Sequence, residues 1–366
     1  MNIAWLLNHA GQSFGGQPAI VADGTTTTFA ELAARAEGYS AAVSSAGLRR
    51  GDRVAIFLPR GAEAAAAFFG VAGAGGIAVI INELYQPRQI EYLLAHSGAG
   101  FLIAGPELMA GLSRDLAFSG LRLGPEDANA GSGSTPIERS PGDAAQLVYT
   151  SGSTGQPKGV LVSHSNLWAG AVAVAGYLDV RPDDRIASVL PFGFVYGFNQ
   201  LMCCLVSGAA LVVERASLGQ DLVESLREDR ITIFAAVPPL WLQLLRAPGF
   251  TNVPLPGLRI LTCAGDRLPP EAALAIRRAQ PQAKLVLMYG LSEVFRSTYL
   301  PAEEVDAHPD SMGRAIPGPK SSSSARIFRS APPARSGNSY TGGRPLPWAT
   351  GTMPRRRTAS SGSGRC

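Results

Sequence analysis

The stretch LVYTSGSTGQPKGVLVSH, Leu147 to His164, places three glycines, three serines, two threonines and one lysine between two apolar runs. The residues AQLVYT predict a strand, and SNLWAGAVAVAGYL, after His164, predicts a helix. Glycines let backbone N–H groups approach an anion closely, while hydroxyl groups and the Lys158 ammonium add donors and charge. The stretch therefore predicts a phosphate-binding loop, and a flexible polar loop is the alternative.

This loop differs from the common nucleotide-binding pattern G-x-x-x-x-G-K-[ST]. From Gly152 the lysine comes six residues later, after Pro157, and Gly159 follows it. We interpret the stretch as a phosphate loop of another kind, and the lysine spacing excludes a P-loop type NTPase.

Short β-branched runs alternate with helical patterns along the chain. The runs that predict strands are RVAIFLP, GIAVIIN, AQLVYT, DRIASVLP, AALVVE, ITIFAAVP, RILTCAG and KLVLMYG. Amphipathic stretches such as FAELAARAEGYSAAVSSAGL lie between them and predict helices. Apolar strands separated by helices indicate an α/β fold with parallel sheets covered on both faces. Such sheets bind ligands at the carboxyl ends of strands, where both YTSGSTG and YGLSE begin.

Composition and charge limit the class of protein. The chain has 366 residues, of which 46% are hydrophobic and 16% charged, enough for a large core in more than one lobe. The formal charge is +4, but it is unevenly distributed: residues 320–366 contain nine Lys or Arg and no acid. Residues 1–319 therefore contain 23 basic and 28 acidic residues. This mildly acidic body excludes nucleic acid as a partner.

The cysteines and the apolar segments indicate the cellular location of the protein. The four cysteines show no metal-binding spacing, which favours reduced core residues in a cytoplasmic protein: Cys203, Cys204, Cys263 and Cys366. The N-terminal residues have no basic segment and no long apolar run, so we expect no signal peptide. Ala64–Asn82 is long enough for a membrane span, but GAGG divides it into a helix and a strand, so no span is predicted.

Three motifs resemble those of the adenylate-forming superfamily, which includes acyl-CoA and aryl-CoA synthetases, luciferases and adenylation domains of peptide synthetases. YTSGSTGQPKGV resembles its signature loop, and CAGDRLP (Cys263–Pro269) resembles the loop that lines its adenine pocket. YGLSE (Tyr289–Glu293) resembles its Y-G-x-T-E motif, with Ser292 in place of threonine. PFGFVYGFNQL and YGLSEVFRSTYLP are most similar to bacterial acyl-CoA ligases associated with exosortase systems.

The resemblance implies an AMP-forming acid–thiol ligase whose cofactors are ATP, Mg²⁺ and coenzyme A. In such enzymes a carboxylate attacks the α-phosphate of ATP, and the thiol of coenzyme A or of a carrier protein then displaces AMP. It implies the N-terminal large domain of this fold over 1–319, with helix-covered, mostly parallel sheets and a smaller β subdomain. The alternatives are a non-catalytic nucleotide- or acyl-binding remnant and a product without a role.

The resemblance also assigns site residues. Contacts with the β- and γ-phosphates are implied for Thr150, Ser151, Gly152, Ser153, Thr154, Gly155 and Lys158. Gly265 and Asp266 would line the adenine pocket, where Tyr289 would stack on the base. Ser292 would contact the α-phosphate and Glu293 would bind Mg²⁺, so catalysis is assigned to Lys158, Ser292 and Glu293. From the residues alone, Tyr289 can instead cap a core edge and Glu293 can open a helix.

The substrate is implied to be a small acyl or aryl acid without an ammonium group. Amino-acid-activating relatives place an aspartate near PFGFVYGF, and no acid lies between Arg185 and Glu214. Aromatic residues of this region line an apolar pocket or belong to the core, and they are Phe192, Phe194, Tyr196, Phe198 and Trp241. We interpret His164 as a helix-start residue, and His308 has no assigned role.

Residues 320–366 resemble no part of the family. They contain no acid and no periodic apolar pattern, which predicts a disordered basic tail. A one-base frameshift near codon 320 explains this composition, because serine codons of the TCN type become apolar codons and a permitted back-translation contains the family-like segment GELVHRG. A natural frameshift and a sequencing error both remain open. The hypothesis implies a missing C-terminal lid domain, with its ribose-binding aspartate and adenylation lysine, and impaired adenylate formation.

Overall fold

The computed structural model describes residues 1–110, 118–130, 135–150, 157–215, 219–293 and 296–317. The helices are α1 Ala4–Phe14, α2 Phe29–Ser45, α3 Ala62–Gly73, α4 Pro87–Ser97, α5 Pro106–Ala110, α6 His164–Tyr177, α7 Val195–Ser207, α8 Gly219–Glu228, α9 Pro238–Leu244, α10 Pro248–Thr251 and α11 Pro270–Ala279. The strands are β1 Pro18–Ala22, β2 Thr25–Thr28, β3 Arg53–Phe57, β4 Ile77–Ile80, β5 Phe101–Ala104, β6 Leu121–Leu123, β7 Ala144–Thr150, β8 Lys158–Ser163, β9 Arg185–Ser188, β10 Ala210–Val213, β11 Ile233–Ala236, β12 Ile260–Cys263, β13 Lys284–Tyr289, β14 Thr298–Leu300 and β15 Arg314–Ala315.

Two sheets contain these strands. The nine-stranded sheet has the order β15-β14-β13-β12-β11-β9-β10-β1-β2, and its strands from β13 to β1 are parallel. The six-stranded sheet has the order β6-β5-β3-β4-β7-β8, with only β8 antiparallel. The predicted α/β fold with mostly parallel sheets is confirmed, and each of the eight predicted apolar runs contains a strand.

The short antiparallel strands β14 and β15 lie at one end of the nine-stranded sheet. Within the described ranges every strand belongs to one of the two sheets. The short strands β14 and β15 pair antiparallel beside β13 and extend the nine-stranded sheet. Pairing satisfies the backbone groups that the edge of β13 would otherwise expose.

The alanine-rich run beginning at Ala64 divides as predicted into the helix α3 and the strand β4. Small side chains let α3 pack closely: a Cβ on Gly70 would lie 2.5 Å from the Tyr39 Cβ and 2.6 Å from the Ala36 carbonyl oxygen. The last ten residues of α3, Ala64–Gly73, are all buried, which explains why the run is apolar on every face. Among the described residues, no helix is long and apolar enough to cross a membrane.

The carboxyl ends of strands from both sheets come together. The loop after β9 touches the end of β4, because a Cβ on Gly193 would lie 3.4 Å from the Ile80 carbonyl oxygen and 3.5 Å from the Asn82 nitrogen. β7 is parallel to β4, and β11, β12 and β13 follow β9 in one parallel set. The loops that leave these strands therefore meet along one region of the surface, where α/β proteins bind ligands.

Candidate functional site

A cleft of about 310 Å³ opens where β12 and β13 end. These strands are parallel, so their carboxyl ends lie at the same edge of the sheet. Gly265 and Asp266 follow β12, and Tyr289 and Gly290 come at the end of β13. A second part of the wall comes from the segment Pro309–Met312. The volume falls in the range of small-molecule sites, which begins at roughly 300 Å³.

Gly265 has a conformation that few other residues accept. Its φ is +99°, in the region that disfavours side chains, and a Cβ would lie 3.2 Å from the Val237 Cγ1. The backbone at this position therefore forms the cleft wall without a side chain in front of it. Next to it, the exposed Asp266 carboxylate accepts a 2.7 Å hydrogen bond from the Arg267 N–H.

Tyr289 lies in the cleft wall, and 42% of its surface is exposed. Its carbonyl oxygen accepts a 3.0 Å hydrogen bond from the Ser297 N–H, which fixes the end of β13. Ser292 and Glu293 come just after the cleft residue Leu291, in a turn, and both are half-buried. Three residues of the motif YGLSE, namely Tyr289, Gly290 and Leu291, thus line the cleft, and Ser292 and Glu293 follow them directly in the chain.

Thr150 and Lys158 form the base of the loop. Thr150 ends β7, Lys158 begins β8, and the two residues are paired in an antiparallel hairpin. Their partners in the predicted phosphate loop, Ser151, Gly152, Ser153, Thr154 and Gly155, lie outside the described residues. The Lys158 side chain is exposed.

The second apolar run of the stretch Leu147–His164 forms the strand β8. In KGVLVS the Val160 and Val162 side chains are buried, while Lys158 and Leu161 are exposed. This alternation has the period of a half-buried strand, and pairing with β7 completes it. The helix α6 then begins at His164, as predicted.

Two aromatic side chains of α4, Tyr92 and His96, contact this hairpin. The Tyr92 hydroxyl donates a 3.0 Å hydrogen bond to the Pro157 carbonyl oxygen, next to Lys158. The His96 Nδ1 lies 2.9 Å from the Tyr149 hydroxyl oxygen, and the His96 and Tyr92 rings are stacked. Burial raises the pKa of Tyr149 to about 12, so the hydroxyl stays neutral. These contacts could not be predicted from the sequence, because they join segments that are distant along the chain.

His164 is fully buried and does not face the cleft wall. Its Nδ1 accepts a 3.1 Å hydrogen bond from the Ile3 N–H. Burial, followed by the nearby Arg139 charge, lowers the pKa of His164 to about 4. The ring is therefore neutral and structural, in agreement with its interpretation as a helix-start residue.

The five aromatic residues proposed for the substrate pocket lie in different places. Phe192, Phe198 and Trp241 are buried in the core, and the Phe198 ring contacts the Phe68 and Phe192 rings. Phe194 is exposed. Tyr196 lines a second, smaller cavity of about 20 Å³, and its hydroxyl oxygen lies 2.6 Å from the Thr262 Oγ1.

A profile of the AMP-binding enzyme family matches residues 7–321. This chain belongs to that family. The motifs that line the cleft and the hairpin all fall inside the matched range.

Individual family members extend the comparison. The probable nonribosomal peptide synthetase CymA of Salinispora arenicola is 32% identical over 329 residues, which cover 89% of this chain and 4% of CymA. Feruloyl-CoA synthase of an Amycolatopsis species is 29% identical over 272 residues, which cover 74% of this chain and 55% of the synthase. The structure of VinN in complex with L-aspartate superimposes with a TM-score of 0.79 at 29% identity, and the match covers 87% of this chain and 83% of that one. This chain therefore spans about half of the length of feruloyl-CoA synthase and only 4% of the length of CymA.

The site residues of this family member fit a nucleotide and one divalent ion. The cleft is lined by the exposed Tyr289 ring, by the Gly265 backbone, which no side chain covers, and by Asp266. In the ranges that the structure covers, no three His, Cys, Asp or Glu side chains cluster to hold a metal. Mg²⁺ commonly binds through one or two carboxylates together with substrate phosphates, so the prediction for Glu293 does not require a cluster of three protein ligands.

Two features of this region were missed from the sequence. The segment Pro309–Met312 forms part of the cleft wall, although it carries no motif. Asn199 and Gln200 line the smaller cavity and are buried in an otherwise apolar helix. The two adjacent amides within an apolar run were the sequence signal from which the buried polar pair could have been predicted.

Proposed function

We propose that this chain carries the nucleotide- and acid-binding part of an AMP-forming acid–thiol ligase. The supporting observation is that the cleft at β12 and β13 and the base of the Thr150–Lys158 loop lie on strand ends that converge in one region. An adenylating enzyme needs a base pocket, a phosphate cradle and an acid pocket side by side. This family member offers candidates for all three.

In the first half-reaction, the substrate carboxylate oxygen attacks the α-phosphorus of ATP and pyrophosphate leaves. The Tyr289 ring holds the adenine base, with Gly265 and Asp266 at the pocket wall. Lys158 and the loop donors Thr150, Ser151, Gly152, Ser153, Thr154 and Gly155 neutralise the β- and γ-phosphates, so that charge on the leaving group is stabilised. Ser292 would donate to the α-phosphate, and Glu293 would hold Mg²⁺, which would neutralise charge on the phosphates.

In the second half-reaction a thiol attacks the acyl-adenylate and AMP leaves. The names of the relatives support two acceptors: coenzyme A, as in feruloyl-CoA synthase, and a carrier-protein thiol, as in peptide synthetases. We propose a small acid without an ammonium group, because no acidic residue lies between Arg185 and Glu214. VinN, which binds L-aspartate, shows that this fold also accepts amine-bearing acids. The buried thiols of Cys203, Cys204 and Cys263 are unpaired in the described chain, which supports a reduced, cytoplasmic setting.

Nucleotide binding is tested by calorimetry with the Lys158→Ala variant. Loss of a charge-assisted contact should weaken Mg·ATP binding by about 1–3 kcal/mol. Lys284→Ala is the matched control, because this exposed lysine begins β13 at the end opposite Tyr289. Equal affinity of the wild type and Lys158→Ala would remove the phosphate-loop assignment.

Catalysis is tested by ATP–pyrophosphate exchange over a panel of carboxylic acids. Acid-dependent exchange supports a ligase, whereas ATP binding without exchange supports the non-catalytic remnant. Residues 320–366 lie outside the described residues, and the frameshift near codon 320 stays a prediction. Resequencing the genomic DNA across that codon tests it, and exchange by the 366-residue chain would show that the matched region alone suffices.

A further inference from the structure

Helix α4 contacts both strands of the hairpin that carries the predicted phosphate loop. The Tyr92 hydroxyl donates a 3.0 Å hydrogen bond to the Pro157 carbonyl oxygen, and the His96 Nδ1 lies 2.9 Å from the Tyr149 hydroxyl oxygen. The Tyr92 and His96 rings are stacked with their centroids 5.3 Å apart, and the His96 and Tyr149 rings pack edge to face. Three rings from two elements thus form one cluster on this face of the hairpin.

The cluster contacts the hairpin at positions next to the loop. The described ladder ends with the pair Thr150 and Lys158, and Pro157 lies one residue beyond it. Proline has no backbone N–H, so its carbonyl oxygen is its one backbone group that can form a hydrogen bond. The Tyr92 bond therefore restrains the backbone directly before Lys158, where the described ladder has ended.

Helix α4 is itself firmly placed. Three of its side chains are buried in the core cluster that also contains Tyr149, and they are Ile90, Leu93 and Leu94. The helix begins with a capping box at Gln86 and ends at Gly98 in the left-handed conformation, so both of its ends are capped. A side chain on such a helix is held more precisely than a side chain on a loop.

Lys158 lies on the other face of the hairpin. Side chains alternate between the two faces of a strand, so Val148 and its partner Val160 lie on the face away from Tyr149. Lys158 shares this face with Val160. The two valines belong to the core cluster that contains Met288 of β13, a residue that lines the nucleotide cleft. The aromatic cluster therefore contacts one face of the hairpin, and Lys158 is on the face that packs toward the nine-stranded sheet.

We propose that Tyr92 is a positioning residue for Lys158: its hydrogen bond to the Pro157 carbonyl oxygen keeps the backbone before Lys158 in the arrangement that binds the β- and γ-phosphates. The proposal rests on the proposed ligase function, in which Lys158 contacts these phosphates. Tyr92 acts through the backbone and does not contact the nucleotide. Without its hydroxyl, the Pro157 carbonyl group pairs with water and Lys158 samples several arrangements, so only a fraction of the molecules is ready to bind ATP.

Calorimetric titration of the full chain with Mg·ATP and with AMP tests the proposal on the Tyr92→Phe variant. Phenylalanine keeps the ring that stacks on His96 and removes only the hydroxyl group. The net free energy of one hydrogen bond corresponds to an affinity change of about 3- to 10-fold, so Mg·ATP binding should weaken by this factor. AMP affinity should stay unchanged, because AMP has no β- or γ-phosphate for Lys158 to contact.

Tyr39→Phe is the matched control for the loss of a tyrosine hydroxyl. Tyr39 also lies in a helix, α2, and its hydroxyl donates a 2.7 Å hydrogen bond to the Glu63 carboxylate. Its loss should lower the free energy of unfolding without changing the ratio of the ATP and AMP affinities. A changed ratio in Tyr39→Phe would show that any lost tyrosine hydroxyl alters the loop, and the specific role of Tyr92 would be wrong.

A double-mutant cycle with Lys158→Ala separates positioning from a general effect on the fold. Because Tyr92 acts through Lys158, Tyr92→Phe should have little further effect on ATP affinity when Lys158 is already alanine. Three results would each overturn the proposal: unchanged Mg·ATP affinity in Tyr92→Phe, equal losses of ATP and AMP affinity, or a fully additive effect in the double variant.

The wild type and Lys158→Ala, measured in the same series, test the ligase function separately. A wild type that does not bind Mg·ATP, or a Lys158→Ala variant with wild-type affinity, contradicts the phosphate-loop assignment and this proposal with it. Wild-type binding that is weakened by Lys158→Ala but not by Tyr92→Phe overturns only the role of Tyr92.

Discussion

Replacement of Gln200 by leucine should stabilise the free protein, although it removes a buried polar side chain. The Gln200 amide is 5% exposed and neither of its polar atoms has a partner among the described residues. Leaving a buried polar atom unpaired costs about 1–3 kcal/mol, and one water in the cavity can offset part of this cost. We expect Gln200→Leu to raise the free energy of unfolding by about 1–2 kcal/mol, since an apolar side chain of similar volume has no such requirement.

Gln280 provides a matched control, because it is also a buried glutamine but has every polar atom paired. Its Oε1 accepts from the Leu255 N–H at 2.9 Å, and its Nε2 donates to the Phe250 carbonyl oxygen at 2.6 Å and to the Val253 carbonyl oxygen at 3.2 Å. Gln280→Leu leaves at least two buried backbone groups without partners. We expect a loss of about 2–5 kcal/mol.

Urea unfolding followed by circular dichroism measures both variants against the wild type. Gln200 lies within α7, whereas Gln280 follows the last residue of α11. The change in side-chain volume is the same at both positions, and leucine and glutamine have similar helix propensities, so neither property explains opposite signs. A destabilisation of Gln200→Leu comparable with that of Gln280→Leu would show that Gln200 has structural partners.

Three further predictions concern the cleft and its supports. Glu293→Gln should weaken nucleotide binding in magnesium more than in its absence, because an amide is a poorer ligand for a hard cation; calorimetry with and without the metal checks this, and equal losses would indicate a structural role. Gly265→Ala should lower stability by about 1–3 kcal/mol and weaken ATP binding, because φ is +99° and the Val237 Cγ1 would lie 3.2 Å from the new Cβ; wild-type urea midpoint and ATP affinity would contradict it. Burial lowers the pKa of His164 to about 4, below the unfolded value of 6.5, so the unfolded chain binds the extra proton first. The contribution of neutral His164 to the free energy of unfolding should be complete above pH 6.5 and should decline by up to about 3 kcal/mol toward pH 4. Urea unfolding of the His164→Asn variant should lack this part of the pH dependence.

The sequence by itself determined the local elements and the order of the motifs. β-branched runs formed strands and amphipathic runs formed helices, because these preferences depend on a residue and its near neighbours. The motifs at Thr150–Lys158, Cys263–Pro269 and Tyr289–Glu293 could be aligned with a family for the same reason. The division of the alanine-rich run at Ala64 also followed from local composition.

Only the tertiary structure decided which side chains face a cavity and which face the core. Phe198 and Tyr196 lie two residues apart in one helix, yet the first packs against Phe68 and the second lines the small cavity. The Lys158–Ser163 segment became a strand through pairing with β7, and the Arg296 guanidinium came to lie over the Tyr196 ring across about one hundred residues of chain. These outcomes depend on contacts between segments distant in sequence, whose relative placement is fixed by packing of the whole fold rather than by any local pattern.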